Sequence, residues 1–347
     1  MKQTMRAAVF EGEGRLVLRT MPAPEIRRAA DVLIRVEACS VCGTDVHILS
    51  VPPGYTARPG TVLGHELVGE VVAVGEEVAS LRPGDRVVCN PNEPCGVCGF
   101  CRKNLPNLCE HIIPLGIEAD GGFAEYVCLA EACAYKIPDR LPAETAMFAE
   151  PLACVLSGVK KLAAAPGESV LILGAGPIGL MMVQMMKASG ARPIIVSETS
   201  PTRRQFALDS GADMVVDPAH DDLEAAVGAQ TGAGADHVID MTGSLLRTAI
   251  QLVRKGGKVL LFGVNTGSTA EVKQSDITQK EITILGTWLA NASFAQAVKL
   301  LESGILPLEK LITHRCTLET LEPAIELLRK GRAVKILVDC QKRGEDQ

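Results

Sequence analysis

One segment, residues 170–198, limits the possible folds more than any other part of the chain. The apolar run Val170–Leu173 leads directly into the sequence GAGPIG (174–179), which is followed by an amphipathic helical pattern and a second apolar run ending at Glu198. A strand, a glycine-rich turn, a helix and a second strand at this spacing are typical of a crossover unit in a parallel sheet. The segment therefore predicts parallel strands covered by helices.

Each glycine of this turn has its own physical role. Gly174 permits a tight turn, Gly176 lets the backbone approach a pyrophosphate, and Gly179 lets the helix pack closely on the strand. The predicted helix, Ile178–Ser189, then begins directly after Pro177, and its N-terminus offers free N–H groups and a positive dipole to phosphates. The turn predicts a dinucleotide site.

The residue that ends the second strand bears on the choice of dinucleotide. Glu198 can accept hydrogen bonds from both hydroxyls of the adenosine ribose, and its charge repels a 2′-phosphate. The sequence therefore favours NAD over NADP. Arg203 and Arg204 leave NADP as an alternative, because a guanidinium near that edge can pair with a phosphate; otherwise they form a solvated helix start, with Arg203 along the adenine face.

The pattern of the chain changes near residue 153. Before it, short Val-rich segments bounded by Gly, Pro or Asp predict strands, such as Asp31–Ala38 and Leu67–Val74. After it, apolar strands alternate with helices, and the tail holds too little apolar material for a core of its own. We therefore expect a β-rich catalytic domain of residues 1–152 and 289–347, a dinucleotide domain of residues 153–288 inserted into it, and a ligand in the cleft between them.

Charge and hydropathy argue against two classes of partner. The formal net charge is −6 and there is no basic tract, whereas nucleic-acid binding needs clustered Lys and Arg. No apolar run reaches the roughly 20 residues that a membrane span needs, and Met1–Phe10 lacks the layout of a signal peptide. Twelve cysteines without a secretion signal indicate a reducing, cytoplasmic location and thiols kept free for metal.

Four cysteines, Cys95, Cys98, Cys101 and Cys109, form the pattern C-x2-C-x2-C-x7-C among Gly, Pro and Asn. Four thiolates on one short loop match the closed tetrahedral site of a structural zinc ion, and they predict a zinc lobe over residues 89–110. A disulfide framework and an iron–sulfur centre are the alternatives. A closed site has no open coordination position and so indicates little about catalysis.

Three further segments carry residue types that bind metal or move protons. The sequence CGTDVH (42–47) follows a predicted strand, GHE (64–66) precedes another, and EPL (150–152) ends the first region. Taken singly, each has an ordinary structural explanation: a buried cysteine, a core histidine, or a glutamate that caps a helix.

Together with the glycine-rich turn and the four-cysteine loop, these segments resemble the zinc-containing medium-chain alcohol dehydrogenase family over essentially the whole chain. The closest likeness is to its sorbitol (polyol) and threonine dehydrogenase branches. The resemblance implies an α/β fold, with a GroES-like β-rich catalytic domain and a Rossmann domain built on a doubly wound parallel sheet. It also implies NAD, two zinc ions per chain, a small-molecule alcohol substrate and a homotetramer or dimer, in which Ile282–Leu285 could extend a sheet across two chains.

The resemblance also implies a ligand set for a catalytic zinc ion. Cys42 and His65 look like firm ligands and Glu66 looks like the third. Glu150 looks like the residue that completes the shell, directly or through bound water; the family exchanges the roles of these two glutamates, so the fourth position stays open. Such a zinc ion keeps one position for the alcohol oxygen and lowers its pKa, so that the proton leaves before the hydride.

By the same likeness, Thr44 resembles the hydroxyl that takes the alcohol proton, and His47 resembles the next member of the relay. An unperturbed histidine pKa of about 6.5 suits that task. Asp45 could orient a ligand or simply cap a turn. Five residues are implied to lie beside the nicotinamide half of the cofactor or at the domain junction: Phe262, Gly263, Val264, Thr287 and Trp288.

The sequence limits the class of substrate only in part. The sequence EPL (150–152) looks like the polyol branch, whereas the threonine branch more often carries Asp-Pro-Phe. Residues 286–293 contain no arginine that could hold a distal hydroxyl, which argues against sorbitol itself. Another polyol, a sugar acid, a phosphorylated sugar alcohol and a threonine-like amino alcohol remain. A nucleotide-binding protein without chemistry is the alternative of another class, but it predicts damage at Cys42, Thr44, His65 or Glu66, and all four are intact.

Overall fold

The computed structural model describes residues 3–342, which form two compact units. Unit 1 takes in the described chain up to Ala153, then Asn291–Gly304 and the residues from Leu308 onward; unit 2 consists of Cys154–Ala290 and Ile305–Pro307. These bounds differ slightly from the expected ones, because Ala153 groups with unit 1 and residues 289–290 group with unit 2. The three residues Ile305–Pro307, which the sequence assigns to the catalytic domain, also group with unit 2. They follow Gly304, which ends a helix with a left-handed φ of 65° and turns the chain.

The described chain contains strands and helices with the following bounds. The strands are β1 (Thr4–Gly12), β2 (Arg15–Pro22), β3 (Asp31–Ser40), β4 (Glu66–Val74), β5 (Arg86–Cys89), β6 (Asn92–Glu93), β7 (Ile113–Pro114), β8 (Tyr126–Ala130), β9 (Ala134–Lys136), β10 (Val170–Leu173), β11 (Ile194–Ser197), β12 (Met214–Val216), β13 (Ala235–Asp240), β14 (Val253–Leu261), β15 (Thr283–Gly286), β16 (Ile312–Thr317) and β17 (Lys335–Asp339). The α-helices are α1 (Gly43–Ile48), α2 (Gly99–Arg102), α3 (Ala143–Ala146), α4 (Ala149–Leu162), α5 (Pro177–Ala188), α6 (Pro201–Ser210), α7 (Leu223–Thr231), α8 (Leu246–Leu252), α9 (Gln274–Thr278), α10 (Phe294–Ser303) and α11 (Leu321–Arg329).

The main sheet of unit 1 has the order β16-β17-β3-β4-β5-β9, and β8 also pairs with β3. Strand β3 is the centre of this sheet, because β4, β8 and β17 all pair with it antiparallel. Its residues are mostly buried, as the apolar sequence DVLIRVEACS requires of a strand covered on both faces. The C-terminal part of the chain therefore contributes a strand, β17, that pairs with β3 from the N-terminal part.

The register of these pairs brings distant residues together. Ser40, the last residue of β3, faces Glu66, the first residue of β4, and also faces Leu337 of β17. Residues just after β3 and just before β4 must then lie side by side. Cys42 and His65 occupy those two positions, and Lys335 opens β17 beside them.

Glycines allow the close packing of the segment that precedes His65. Gly64 has a φ of +88°, and a Cβ added to it would lie 2.7 Å from the ring of Phe123. A Cβ on Gly121 would lie 2.1 Å from the carbonyl oxygen of Gly64, and Gly122 donates a 2.7 Å backbone hydrogen bond to that same oxygen. A larger residue at Gly64 or Gly121 would displace the backbone that carries His65.

Unit 2 contains a six-stranded parallel sheet in the order β12-β11-β10-β13-β14-β15. This confirms the expected doubly wound parallel sheet, with β10 and β13 at the point where the strand order reverses. The edge strand β15 contains most of the apolar run Ile282–Leu285. None of the described helices combines the length and the apolar character that a membrane span requires.

Candidate functional site

The four cysteines of the predicted zinc lobe converge in unit 1. The Sγ atoms of Cys95, Cys98, Cys101 and Cys109 all lie within 4.8 Å of one another. The Cys98 sulfur is 3.5 Å from that of Cys101 and 3.9 Å from that of Cys109. Four sulfurs around a zinc ion at about 2.3 Å would be about 3.8 Å apart, so the spacing fits the metal. All twelve cysteines lie within the described residues and are free thiols, so the disulfide alternative is wrong.

The charge distribution in this lobe also suits a cation. Backbone N–H groups of Cys101 and Glu110 lower the pKa of the Cys98 thiol to about 6. Burial, together with the neighbouring Cys98 sulfur, raises the pKa of Cys101 to about 12. Backbone N–H groups stabilise one thiolate, but a second thiolate beside it is unfavourable without a metal ion.

A second group of potential ligands lies at the junction of β3 and β4. One ligand atom each from Cys42, His65 and Glu66 lies within 4.8 Å of the other two. Cys42 is the N-cap of α1, and its backbone N–H donates a 2.8 Å hydrogen bond to the Asp45 carboxylate, which fixes the entry into the helix. Within residues 3–342, only this set and the four cysteines bring the ligand atoms of three or more His, Cys, Asp or Glu residues within 4.8 Å of one another.

Glu66 presents one of its two oxygens without a partner. Its Oε2 accepts a hydrogen bond from the Ser40 hydroxyl and forms an ion pair with the Lys335 ammonium group. Its Oε1 is buried and has no hydrogen-bond partner. A buried carboxylate oxygen without a donor is costly, and a bound cation would satisfy it. The residues present therefore fit a metal ion.

Lys335 is buried as deeply as the carboxylate it pairs with. The two side chains are 2% and 1% exposed. Its ammonium group also donates to the carbonyl oxygen of Val41 at 3.3 Å and lies 5.9 Å from the centre of the Phe148 ring. Burial lowers the pKa of Lys335, but the negative charges of Glu66, Cys42 and Glu150 outweigh burial and raise it above its ordinary value. Lysine therefore stays charged here.

The imidazole of His65 faces a second buried carboxylate. Its Nδ1 lies 3.7 Å from Oδ1 of Asp45, and neither atom has a hydrogen-bond partner. Burial lowers the pKa of His65, but the negative charges of Cys42, Asp45 and Glu150 outweigh burial and raise it well above its ordinary value. A cation at this point would replace the proton that these charges attract.

Glu150 and the two proposed relay residues lie around this group. Glu150 is buried in the first turn of α4 and acts on His65 through its charge, but it is not among the three residues whose ligand atoms lie within 4.8 Å. Thr44 and His47 both lie on α1, three residues apart and hence on neighbouring positions of one face. The Thr44 hydroxyl is 3.6 Å from the Cys42 sulfur, and His47 is exposed.

The glycine-rich turn lies between β10 and α5 in unit 2. Gly174 has a φ of +102°, and a Cβ on Gly179 would lie 2.2 Å from the carbonyl oxygen of Gly174. A Cβ on Gly176, the N-cap of α5, would meet nothing within 4 Å, so the space in front of this residue is open. Pro177 and Ile178 are the first two residues of α5. The turn has the geometry that phosphate binding requires.

Glu198 ties the end of β11 to the glycine-rich turn. Its Oε2 accepts a 2.8 Å hydrogen bond from the backbone N–H of Ala175, and its Oε1 accepts one of 2.8 Å from Ser200. Arg204 is already engaged, because it donates to the Asp217 carboxylate at 2.7 Å. The Nε atom of Arg203 is buried without a hydrogen-bond partner.

The other residues assigned to the cofactor follow β14 and β15. Backbone N–H groups of Phe262 and Gly263 both donate to the carbonyl oxygen of Asp240 at 3.0 Å. The Thr287 hydroxyl is buried without a hydrogen-bond partner, whereas Val264 and Trp288 are 51% and 39% exposed. They all belong to unit 2, on the carboxyl side of its strands.

Two residues that position Glu66 in the metal group are not predicted from the sequence. Lys335 and Ser40 hold Glu66, yet neither belongs to one of the motifs found in the sequence. The available signal is a lysine inside the apolar run AVKILV (333–338), where a charge requires a partner.

Comparison with known proteins identifies the family of the chain. Residues 28–139 match the alcohol dehydrogenase GroES-like domain, and residues 177–303 match the zinc-binding dehydrogenase family. The chain is 33% identical to a sorbitol dehydrogenase of Bombyx mori, over 96% of this chain and 98% of that protein. It is 34% identical to an L-threonine 3-dehydrogenase of Bacillus licheniformis, over 97% and 99%.

A solved structure agrees with these sequence relatives. The crystal structure of a protein from Sinorhizobium meliloti 1021, described as a zinc-binding dehydrogenase and bound to NADP, superposes with a TM-score of 0.91. It is 34% identical, and the match covers 97% of this chain and 100% of that one. The chain therefore belongs to the zinc-containing medium-chain alcohol dehydrogenase family, and it is an oxidoreductase that acts on alcohols or polyols with zinc and a nicotinamide dinucleotide as cofactors.

Proposed function

We propose that the protein oxidises a secondary alcohol of a polyol or sugar-derived substrate to a ketone and transfers the hydride to NAD. The observation that carries this proposal is the convergence of Cys42, His65 and Glu66, with their ligand atoms within 4.8 Å. Three protein ligands leave one tetrahedral position for a substrate oxygen. When bound, zinc supplies a Lewis acid that favours loss of the alcohol proton, and NAD accepts the hydride.

Glu66, rather than Glu150, is the third ligand in this proposal. Glu66 has a buried oxygen, Oε1, that lacks a partner, while Ser40 and Lys335 hold its other oxygen. Glu150 lies outside the set within 4.8 Å and contributes charge beside His65. Asp45 faces Nδ1 of His65, so it orients the ring and leaves the other ring nitrogen for the metal.

Thr44 and His47 carry the proton away. The Thr44 hydroxyl lies 3.6 Å from the Cys42 sulfur, which places it next to the ligand set. His47 follows on the same face of α1 and is exposed, so its imidazole can exchange the proton with solvent. The four-cysteine lobe holds the second, structural zinc ion.

The choice of NAD rests on this chain's own residues, since the Sinorhizobium relative holds NADP. The Glu198 carboxylate is fixed at the end of β11 by two backbone N–H groups, and its charge disfavours a 2′-phosphate. Arg204 pairs with Asp217 and is not free for that phosphate. Arg203, with its buried Nε, is assigned to the adenine side.

The alternative is oxidation of an amino alcohol, as in the L-threonine 3-dehydrogenase relative. We expect the purified, zinc-loaded protein to reduce NAD with a polyol, sugar acid or sugar-alcohol phosphate at least about tenfold more efficiently, in kcat/KM, than with threonine. The measurement is NADH absorbance over a panel of these compounds. A preference for threonine would select the alternative, and no reaction with any secondary alcohol would contradict the proposed function.

Cys42→Ser tests the catalytic metal. A serine hydroxyl is a poor zinc ligand, so we expect zinc content to fall from about two ions per chain to about one, and turnover to fall at least about 100-fold. NADH affinity should stay within about twofold, because the glycine-rich turn is untouched. Cys128→Ser, a half-buried cysteine outside both groups, is the matched control. Full activity or undiminished zinc in Cys42→Ser would refute the ligand assignment.

Lys335→Met tests the pairing that holds Glu66. Removing one partner of a buried ion pair costs about 3–5 kcal/mol, because the other charge is left without compensation. We therefore expect a marked loss of stability in urea unfolding when Lys335→Met is placed in the Cys42→Ser background, where loss of the catalytic zinc leaves Lys335 as the cation that pairs with Glu66. Adding Glu66→Gln should restore part of that stability.

Arg35→Met is the matched control for this prediction. Arg35 pairs with Glu70 at 2.6 Å across the same two strands, β3 and β4, but the two side chains are 37% and 34% exposed. Such a pair contributes about 1 kcal/mol or less. If Lys335→Met were no more destabilising than Arg35→Met, the buried pair would not have the role assigned to it.

Glu198→Ala tests the cofactor preference. The ratio of kcat/KM for NAD to that for NADP should fall at least about tenfold, because the charge that opposes the 2′-phosphate is gone. A general disturbance of the glycine-rich turn would lower kcat/KM for both cofactors alike, so the ratio reports the preference between them. Glu224→Ala, at an exposed glutamate in the first turn of α7, is the control. An unchanged ratio would remove the assignment of Glu198.

A further inference from the structure

Asp240 has no part in the function proposed above, yet its carboxylate organises the loop of residues 241–245 between β13 and α8. It is the last residue of β13 and is 1% exposed. Its Oδ1 accepts hydrogen bonds from the N–H and the hydroxyl of Thr242, both at 2.8 Å, and from the N–H of Gly243 at 3.0 Å. Its Oδ2 accepts one from the N–H of Leu245 at 2.8 Å. One buried charge thus fixes the path of the whole loop.

On one side, the 241–245 loop packs against the glycine-rich turn. A Cβ on Gly174 would lie 2.9 Å from the Cγ2 methyl group of Thr242 and 3.7 Å from Met241. A Cβ on Gly179 would lie 3.8 Å from the Met241 side chain. The turn that we assign to the phosphates therefore lies directly beside this loop.

On the other side, the loop packs against the segment after β14. A Cβ on Gly263 would lie 2.4 Å from the backbone nitrogen of Gly243, and one on Gly243 would lie 2.7 Å from the carbonyl oxygen of Gly263. The main-chain oxygen of Asp240 accepts the N–H groups of Phe262 and Gly263, both at 3.0 Å. Backbone therefore touches backbone, and the loop separates the two halves of the proposed cofactor site.

We infer that Asp240 is a positioning residue for the dinucleotide: by holding the 241–245 loop, it sets the spacing between the glycine-rich turn and the 262–264 segment. Hydrogen bonds to an ionised acceptor are about twice as strong as neutral ones, so the loop is ordered before the cofactor arrives. Binding then avoids the cost of ordering it. This inference rests on the proposed cofactor site. Asp240 itself touches no cofactor in this scheme.

The same strand provides a matched control at its opposite end. Asp236 lies four residues earlier on β13 and accepts hydrogen bonds from the N–H of Ser169 at 2.8 Å, from its hydroxyl at 2.6 Å, and from Arg254 at 2.6 Å. It is at the amino side of a parallel sheet, whereas the glycine-rich turn follows the carboxyl end of β10. Its loss should affect stability without affecting the cofactor.

The experiment compares Asp240→Asn with Asp236→Asn in the zinc-loaded, full-length protein. NADH affinity is measured by fluorescence titration well below the melting temperature of each variant, with zinc content as a check on the metal sites. The amide group of an asparagine at position 240 would direct its own N–H donors at the N–H and O–H donors of the 241–245 loop. We therefore expect Asp240→Asn to weaken NADH binding at least about tenfold, and Asp236→Asn to change it less than about twofold. KM for NAD should rise in Asp240→Asn, with kcat at saturating NAD retained within about threefold.

A second variant keeps the test decisive if Asp240→Asn does not fold. Thr242→Val removes the hydroxyl, and with it the bond to Asp240 and the bonds to the N–H and hydroxyl of Ser244 in the same loop, but keeps the methyl group that packs on Gly174. We expect it to weaken NADH binding about threefold. Unchanged NADH affinity in these variants, or equal weakening in Asp236→Asn, would overturn the inference. If the unaltered protein bound no NADH, the proposed function would fail, which is a distinguishable result.

Discussion

The antiparallel pairing of β3 with β4 is the constraint on which the catalytic part of the molecule depends. Because Ser40 faces Glu66 in this register, the residues that leave one strand and enter the other are forced together, although they are far apart in sequence. A shift of one residue would turn Glu66 to the opposite face of the sheet and remove it from Cys42 and His65. The glycines at 64 and 121 keep the neighbouring backbone close enough for this register to hold.

The same register buries the carboxylate of Glu66, and a lysine on β17 compensates its charge. Glu66 is buried at the start of β4, and Lys335, from the far end of the chain, reaches its carboxylate from β17, on the other side of β3. The pair neutralises one carboxylate oxygen and leaves the other for a cation. The tail of the chain is therefore chemically part of the metal group, because without it an uncompensated carboxylate would lie in the core.

The sequence was sufficient for features that depend on local geometry. The glycine-rich turn, the four-cysteine loop and the strands predicted at Asp31–Ala38 and Leu67–Val74 follow from residue type and spacing alone, with the strand ends correct to within two residues. It was insufficient where pairing over long distances decides. Lys335 is an isolated charge in an apolar run, and only the register of β17 shows that it meets Glu66. In the same way, the bond from the Thr317 N–H to the Thr320 hydroxyl holds a 3-10 turn over Leu318–Thr320, so that α11 begins only at Leu321.

The two units use buried carboxylates in opposite ways, and the difference follows from what each is proposed to bind. In unit 1, Glu66 retains a buried oxygen without a hydrogen-bond donor, which stays unfavourable until a cation arrives, and the unpartnered oxygen of Asp45 faces the ring of His65. In unit 2, each carboxylate oxygen of Glu198 and Asp240 accepts a hydrogen bond from at least one backbone N–H group. A site for a phosphate-bearing cofactor cannot hold unpaired negative charge, since it would repel the ligand. Carboxylates that are bonded to the backbone can instead fix loops and leave other N–H groups, at the start of α5, for the phosphates.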